Sequence, residues 1–470
     1  MTTAVFEVKT IGAIGDGIYS NTKIFRAAAL NCAEAGGGTI IVPPGRYLTG
    51  PFQLFSNTEL KLEPGAIIIA STDINEYFQD HNSMESPRIG LIYARNAENI
   101  SISGRGVIDF QGTAFMNMQA RTPWADFDRQ ATRQKERYLQ ETKEIGDGPV
   151  AVTDRPGNLL QFLNCQNISL TQVTLENAPN WTVHFGQSRD IFVHAIRILN
   201  NLFIPNSDGI HCAACANVHI SDCHIESGDD SIAVTTLSQI GQISENITVS
   251  NCTLVSRSAG IRVGYGEDDI RNCLFQNLTI KSNRGIGIFA RSPMTISDIS
   301  FDHITMQTRL HDGQWWGHGE PIHISSTKMS EELATGKIKN ISFTNIIAHS
   351  ESGVLIYAPQ PGLLEQIRLK NFHLTLKNSP LAESYGGNFD LRPAVALEER
   401  VFSHDEGGLF ALNAAYLTVE AMTLEWEGKP NKTFGYGVYA EDCPNIQVRD
   451  FVCPNPQVAQ KLRSVELNNC

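Results

Sequence analysis

Two short acidic stretches hold the side chains best suited to chemistry. One reads Asn206-Ser207-Asp208-Gly209-Ile210-His211 and the other Ser227-Gly228-Asp229-Asp230-Ser231. Asp208 precedes Asp229 by 21 residues and Asp230 by 22. Carboxylates brought close repel one another, so one of them keeps its proton to higher pH than an isolated acid. A protonated and an ionised carboxyl then form an acid–base pair: the acid protonates a leaving oxygen and the base activates a water. That equipment cleaves a glycosidic bond, with inversion where a water fits between the two groups. A calcium site or an ordinary hydrogen-bonded turn is the alternative for the same residues. Asn206, His211 and His184, which follows Trp181, are candidates to line a cleft and bond sugar hydroxyls. Arg257, Arg262, Arg284 and Arg291 could grip a sugar carboxylate with the planar guanidinium fork, or pair with Glu267, Asp268 or Asp269 and serve structure alone.

The elements that must position these groups follow from a repeat. A nine-residue pattern opens on Asn or another polar residue and then alternates apolar and polar positions. Copies begin at Asn167, Asp190, Asn217, Asn246, Asn272, Asp298, Asn340, Gln366, Tyr416 and Asn445, in steps of 23, 27, 29, 26, 26, 42, 26, 50 and 29 residues. Short alternating strands at this period mark a solenoid whose rungs bury their apolar faces against each other. Alternation sends every second side chain inward. The expected fold is all-β, a single-stranded right-handed parallel β-helix over residues 1–470 as one domain. The 21- and 22-residue spacings are close to one coil, so the three aspartates should meet on one face of adjacent rungs. The steps of 42 and 50 imply loop insertions or an unrecognised coil. Most Asn-x-Ser/Thr triplets are the grammar of the repeat and not glycosylation signals.

Asn21-Thr22 followed by KIFRAAALNCAEA and Gly36-Gly37-Gly38 predicts a capping helix over about residues 20–36. It would cover the open N-terminal end, where bare strand edges invite aggregation. Residues about 116–148 and 307–325 read as inserted loops, the first containing Trp124 and the second Trp315-Trp316. Their aromatic rings suit a cleft rim, or simple packing. Cys223 and Cys252 share a repeat position, as a stack of small buried side chains would. The lone Cys212-x-x-Cys215 has no second pair to make a metal site.

Hydrophobic residues make up 41% and charged residues 19% of the 470, an ordinary globular balance. A net charge of −13 argues against nucleic acid as partner, and no apolar run is long enough to span a membrane. The start, MTTAVFEVKT, lacks the marks of a secretory leader. As written the chain is expected in the cytoplasm; a secreted or periplasmic protein would need a leader upstream.

With these motifs the chain resembles glycoside hydrolase family 28, the polygalacturonases and rhamnogalacturonan hydrolases. The resemblance runs through Gly15-Asp16-Gly17, the Gly36-Gly37-Gly38 run with Val42-Pro43-Pro44-Gly45-Arg46-Tyr47, and GRGVIDFQG from Gly104. Asn206-Ser207-Asp208 is similar to the family's Asn-Thr-Asp, and Gly228-Asp229-Asp230 matches its Gly-Asp-Asp. The resemblance implies an inverting glycosidase of pectic poly- or oligosaccharide, with Asp229 as general acid, Asp208 and Asp230 holding the water, and no cofactor or metal. Two departures stand out. Ser258-Ala259-Gly260 occupies the place of Gly-His-Gly, and Gly287-Ile288-Phe289 that of Arg-Ile-Lys. Those cations hold a galacturonate in the polygalacturonase branch; rhamnogalacturonan hydrolases also lack that histidine. The competing expectations are a calcium-dependent pectate or pectin lyase and a non-catalytic carbohydrate-binding solenoid. Without a leader, work on short imported oligosaccharides from the chain end is the favoured mode.

Overall fold

A computed structural model describes residues 4–80, 86–122, 147–237, 240–311, 313–381, 390–402, 406–430, 434–453 and 463–470. The fold is a right-handed parallel β-helix. Its chain divides into two compact units, one of Met1–Arg121, Pro149–Ala233 and Ile247–Thr253, the other of Thr122–Gly148, Val234–Asn246 and Leu254–Cys470.

In the first unit, strands Gln166–Thr171, Arg189–His194 and Ala216–Ser221 run parallel, with Ile168 opposite Ile191 and Ile191 opposite Val218. In the second, Ile270–Ser282, Thr295–Thr308, Lys337–Ser350, Leu364–Lys377 and Thr418–Glu427 do the same. There Phe275, Phe301 and Phe343 stack face to face at 4.9 and 4.8 Å. The pairing register equals the sequence step in every one of these pairs. The steps of 42 and 50 are therefore insertions: Ile299 faces Ile341 and Arg368 faces Thr418 without slippage.

The opening residue of every copy has positive φ, from 53° at Asn340 to 62° at Asn445. Asn and Asp tolerate this left-handed conformation best among residues with a Cβ. Their side chains also bond from rung to rung, as Asn167 Nδ2 to Asn99 Oδ1 at 2.7 Å and Asn340 Nδ2 to Asp298 Oδ1 at 2.6 Å. The fifth residue after each opening repeats the left-handed turn, from Gln172 and Ala195 to Ala421 and Asp450. The cysteines use these turns. Cys165, Cys215, Cys223, Cys252, Cys273, Cys443 and Cys470 each follow a left-handed residue and donate the thiol to the carbonyl two residues back, at 3.1–3.5 Å.

The capping helix spans Thr22–Glu34 and buries Phe25, Ala28, Ala29 and Cys32, with Phe25 against Tyr47 and Phe52. Its start differs from the expected cap. Asn21 makes no cap bond; its Oδ1 accepts from Ile14 N and its Nδ2 donates to Ile14 O and Tyr19 O. Wholly buried, Asn21 satisfies the preceding loop instead. No described helix is long and apolar enough to cross a membrane.

Candidate active site

The site builds from short strands of a second sheet. In the first unit, Phe52–Gln53, Ile92–Arg95, Leu160–Leu163, Val183–Gly186 and Ile210–Ala213 stack in parallel. Their inward residues, among them Ile92, Leu160, Phe162, Val183, Phe185 and Ile210, fill the core. The alternate positions place Tyr93, Gln161, His184 and His211 in one outward column.

Just before these strands lies a second column. Thr182 N donates to Asp208 O at 2.8 Å, and Gly209 N to Asp230 O at 2.9 Å. Trp181, Asp208 and Asp230 thus hold one position on three successive rungs, at a strand spacing of about 4.8 Å. Asp229 is the residue before Asp230; its Oδ1 accepts the Asp230 backbone N–H at 3.0 Å. Asp208, Asp229 and Asp230 are 2, 7 and 4% exposed, so their charges act in a poorly solvated setting.

The two acidic motifs are riveted together by Ser207, whose hydroxyl donates to Ile204 O and accepts the Gly228 N–H at 3.0 Å. A Cβ on Gly228 would lie 2.1 Å from Ile204 O, and one on Gly209 2.4 Å from Ser231 O. Glycine is the residue that lets these coils approach. Asn200 adds bonds to Thr182 Oγ1 and Ser207 O. Asn206, at φ 56°, gives its Oδ1 to Arg155, which also donates to Pro179 O and Pro205 O. Arg155 and Asn200 carry no motif, and their role emerges only when the coils are stacked.

Around Asp208 the aromatic residues are closely fitted. His211 Nδ1 lies 3.0 Å from Asp208 Oδ2, and the ring stacks on Trp181 at 3.6 Å and 19°. His184 meets Trp181 edge-on at 5.1 Å. Asn158 Nδ2 donates to His184 Nδ1 at 3.1 Å. Burial pushes His184 down to about 4, so the ring is neutral near pH 7. Its Nε2 and Asn158 Oδ1 meet no hydrogen-bond partner among the described residues.

The four arginines belong to the second unit and find partners other than Glu267, Asp268 and Asp269. Arg257 pairs with Asp147, its Nη1 2.9 and 2.8 Å from the two carboxylate oxygens. Trp315 Nε1 donates to Asp147 O, so the second insertion is tied to the end of the first. Arg262 lies 4.8 Å over the Tyr265 ring. Arg284 is 2% exposed and pairs with Glu320 at 2.9 Å, with Asp390 3.8 Å away. Arg291 is fully buried on Ser325, donating to its carbonyl and hydroxyl. Burial lowers Arg291 to about 10. The guanidinium groups of Arg284 and Arg291 both lie over the Phe289 ring, at 4.9 and 4.8 Å from its centre. Burial alone would raise Glu320, but Arg284 and His323 hold it down at about 2. Trp315 is buried, and Trp316 lies under Arg392 at 4.7 Å. These rings pack the insertion. Trp124 falls outside the described residues.

Among the described residues, no group of three or more His, Cys, Asp or Glu is arranged to hold a metal ion.

The family model for Glycosyl hydrolases family 28 matches residues 32–358. A probable polygalacturonase of Vitis vinifera is 31% identical over 47% of this chain and 42% of its own length, so the match spans less than half of that relative. An exopolygalacturonase of Zea mays is 24% identical over 74% of this chain and 77% of its own. Among solved structures, the family 28 exopolygalacturonase of Yersinia enterocolitica superposes with a TM-score of 0.64 at 14% identity, covering 95% of this chain and 78% of that one. At that identity the likeness is one of fold.

Proposed function

The chain belongs to glycosyl hydrolases family 28, and we propose that it hydrolyses a glycosidic bond in a pectin-type poly- or oligosaccharide, rich in galacturonate or rhamnogalacturonan, from the chain end and with inversion. The observation that carries this reading is the rung-to-rung placement of Asp208 and Asp230, with Asp229 beside them. Asp229 serves as general acid. With its Oδ1 accepting from the Asp230 N–H, a proton on the carboxyl sits on Oδ2 and passes to the leaving glycosidic oxygen. Asp208 and Asp230 hold a water and take its proton as its oxygen attacks the anomeric carbon from the opposite face. Chain-end action draws on the similar maize and Yersinia proteins, which are exopolygalacturonases by name.

Without solvent-facing cations at Gly287 and Phe289, plain polygalacturonan is the less favoured substrate and a mixed backbone the more favoured. The test is a product screen on defined oligogalacturonides and rhamnogalacturonan fragments, with and without chelator. Reducing sugar released one unit at a time, without ultraviolet absorbance and indifferent to chelator, is the expected result. Absorbance from a new double bond that depends on calcium would make the protein a lyase. Rapid loss of viscosity from long polymer would make it endo-acting, and silence on every fragment would leave a binding protein.

A further inference from the structure

His211 does not stand as a cleft-lining group looking for a sugar. It follows Asp208 by three residues at the start of strand Ile210–Ala213, and its Nδ1 reaches back 3.0 Å to Asp208 Oδ2. The side chains are 3% and 2% exposed. One face of the imidazole lies on Trp181, which occupies the position of Asp208 one rung earlier. The edge of the ring meets His184 at 6.0 Å and 80°, and His184 is itself fixed by Asn158.

The two histidines therefore carry their protons on opposite nitrogens. His184 accepts at Nδ1 from the Asn158 amide, which leaves its hydrogen on Nε2. His211 must donate at Nδ1, because a carboxylate oxygen can only accept. An aspartate carboxylate turns easily about its last bond. An imidazole clamped on Trp181 and bonded to Oδ2 removes that freedom and sets the direction in which Oδ1 faces a water.

We propose that His211 is a positioning residue: backed by Trp181, it aims the Asp208 carboxylate at the attacking water and does not bind the sugar. This rests on the assignment of Asp208 to the water made above. The assignment of the pair is independent of substrate, so the two can be tested apart.

Two variants and one resonance measurement decide it. His211→Phe keeps a flat ring on Trp181 and removes the donor; His211→Asn keeps an N–H near the place of Nδ1. In the Phe variant kcat should fall about 10²-fold, the cost of a misaimed reacting group, while KM stays within about twofold. The Asn variant should recover most of that loss. A raised KM at parental kcat would make His211 a sugar contact and overturn the proposal, as would full activity in the Phe variant or no rescue by Asn in a protein that melts like the parent. In the resting parent protein, ¹⁵N resonances should show His211 protonated at Nδ1 and His184 at Nε2. A His211 protonated only at Nε2 would overturn the proposal even in a protein that hydrolyses no pectic fragment, whereas the expected pattern in such a protein would keep the pair and retire the hydrolase reading alone.

Discussion

One set of short strands in each unit uses its outward positions in opposite ways. In the first, the outward positions carry Gln161, His184 and His211, with Asn158, Trp181, Asp208 and Asp230 beside them. In the second, Val354–Tyr357, Glu406–Leu412 and Phe434–Glu441 turn Leu355, Tyr357, Phe410, Leu412 and Tyr439 outward. These meet Leu391 and Val401 of the inserted segment in a cluster of their own, with Leu397, Phe402 and Tyr436 packed against it. The inward residues hardly differ: Val183 and Phe185 in one, Val354 and Ile356 in the other, all buried. Inward alternation makes the solenoid; the outward residue type decides whether a rung presents polar and aromatic groups or receives covering chain.

The largest test of that contrast removes an outward carboxyl from the first unit. Asp229→Asn should cut kcat by about 10³-fold or more on whichever pectic fragment the parent cleaves, the scale of a lost general acid, with the melting temperature almost unchanged. Activity within tenfold of the parent would mean the acid lies elsewhere. The mirror experiment, Phe410→Ala, should cost about 3–5 kcal/mol in denaturant unfolding and leave the kinetics of the folded fraction alone. A kinetic defect there would break the division between the two faces.

Acid provides a smaller effect. Burial pushes His318 and His323 of the second unit down to about 4, from an ordinary value near 6.5. The folded chain keeps them neutral while the unfolded chain takes up protons below 6.5. Their contribution is complete above that pH and declines as pH falls from 6.5 to 4. Hydrogen exchange of strand Ile322–Ser326 should quicken across that window, and in His323→Gln the dependence should flatten. The smallest effect concerns the ladders. Ala195 holds φ 54° between Gln172 and Asp222 on neighbouring rungs. Ala195→Asn should stabilise by about 0.5–1 kcal/mol, seen as a higher midpoint of denaturation without change in turnover.

How much of this was legible in the sequence depends on distance along the chain. Alternation and the opening Asn or Asp act within nine residues, and both the strands and their register follow from them. The second left-handed turn, five residues on, is filled by Gln172, Ala195, His303 and Ala421 as readily as by Asn, so no residue type announces it. The spacing of Asp208 and Asp230 reads as one coil because a coil has a nearly fixed length there. In the sequence the carboxylates that fall between the four arginines are those of the adjoining loop at Glu267–Asp269. A solenoid instead sets a side chain beside residues one coil away or brought back by an insertion, hence Glu320 for Arg284 and Asp147 for Arg257. Arg155 and Asn158 meet Asn206 and His184 across the same kind of distance, so no local pattern marks them. Asn21 has the residue type of a cap, but burial forces its amide to serve the loop that covers it.

The insertions that keep register have one more consequence. Sixteen extra residues between Asp298 and Asn340, or twenty-four between Gln366 and Tyr416, relative to the 26-residue step, leave the pairing of Ile299 with Ile341 and of Arg368 with Thr418 intact. The rung accommodates both excursions because the next left-handed residue, Asn340 in one and Tyr416 in the other, resumes the strand in phase. Such slots behave as splice sites in a cassette architecture: a loop can be exchanged and the ladder beneath stays in phase, provided that its replacement supplies what Glu320 gives the buried Arg284 and what Leu391 and Val401 give the apolar face.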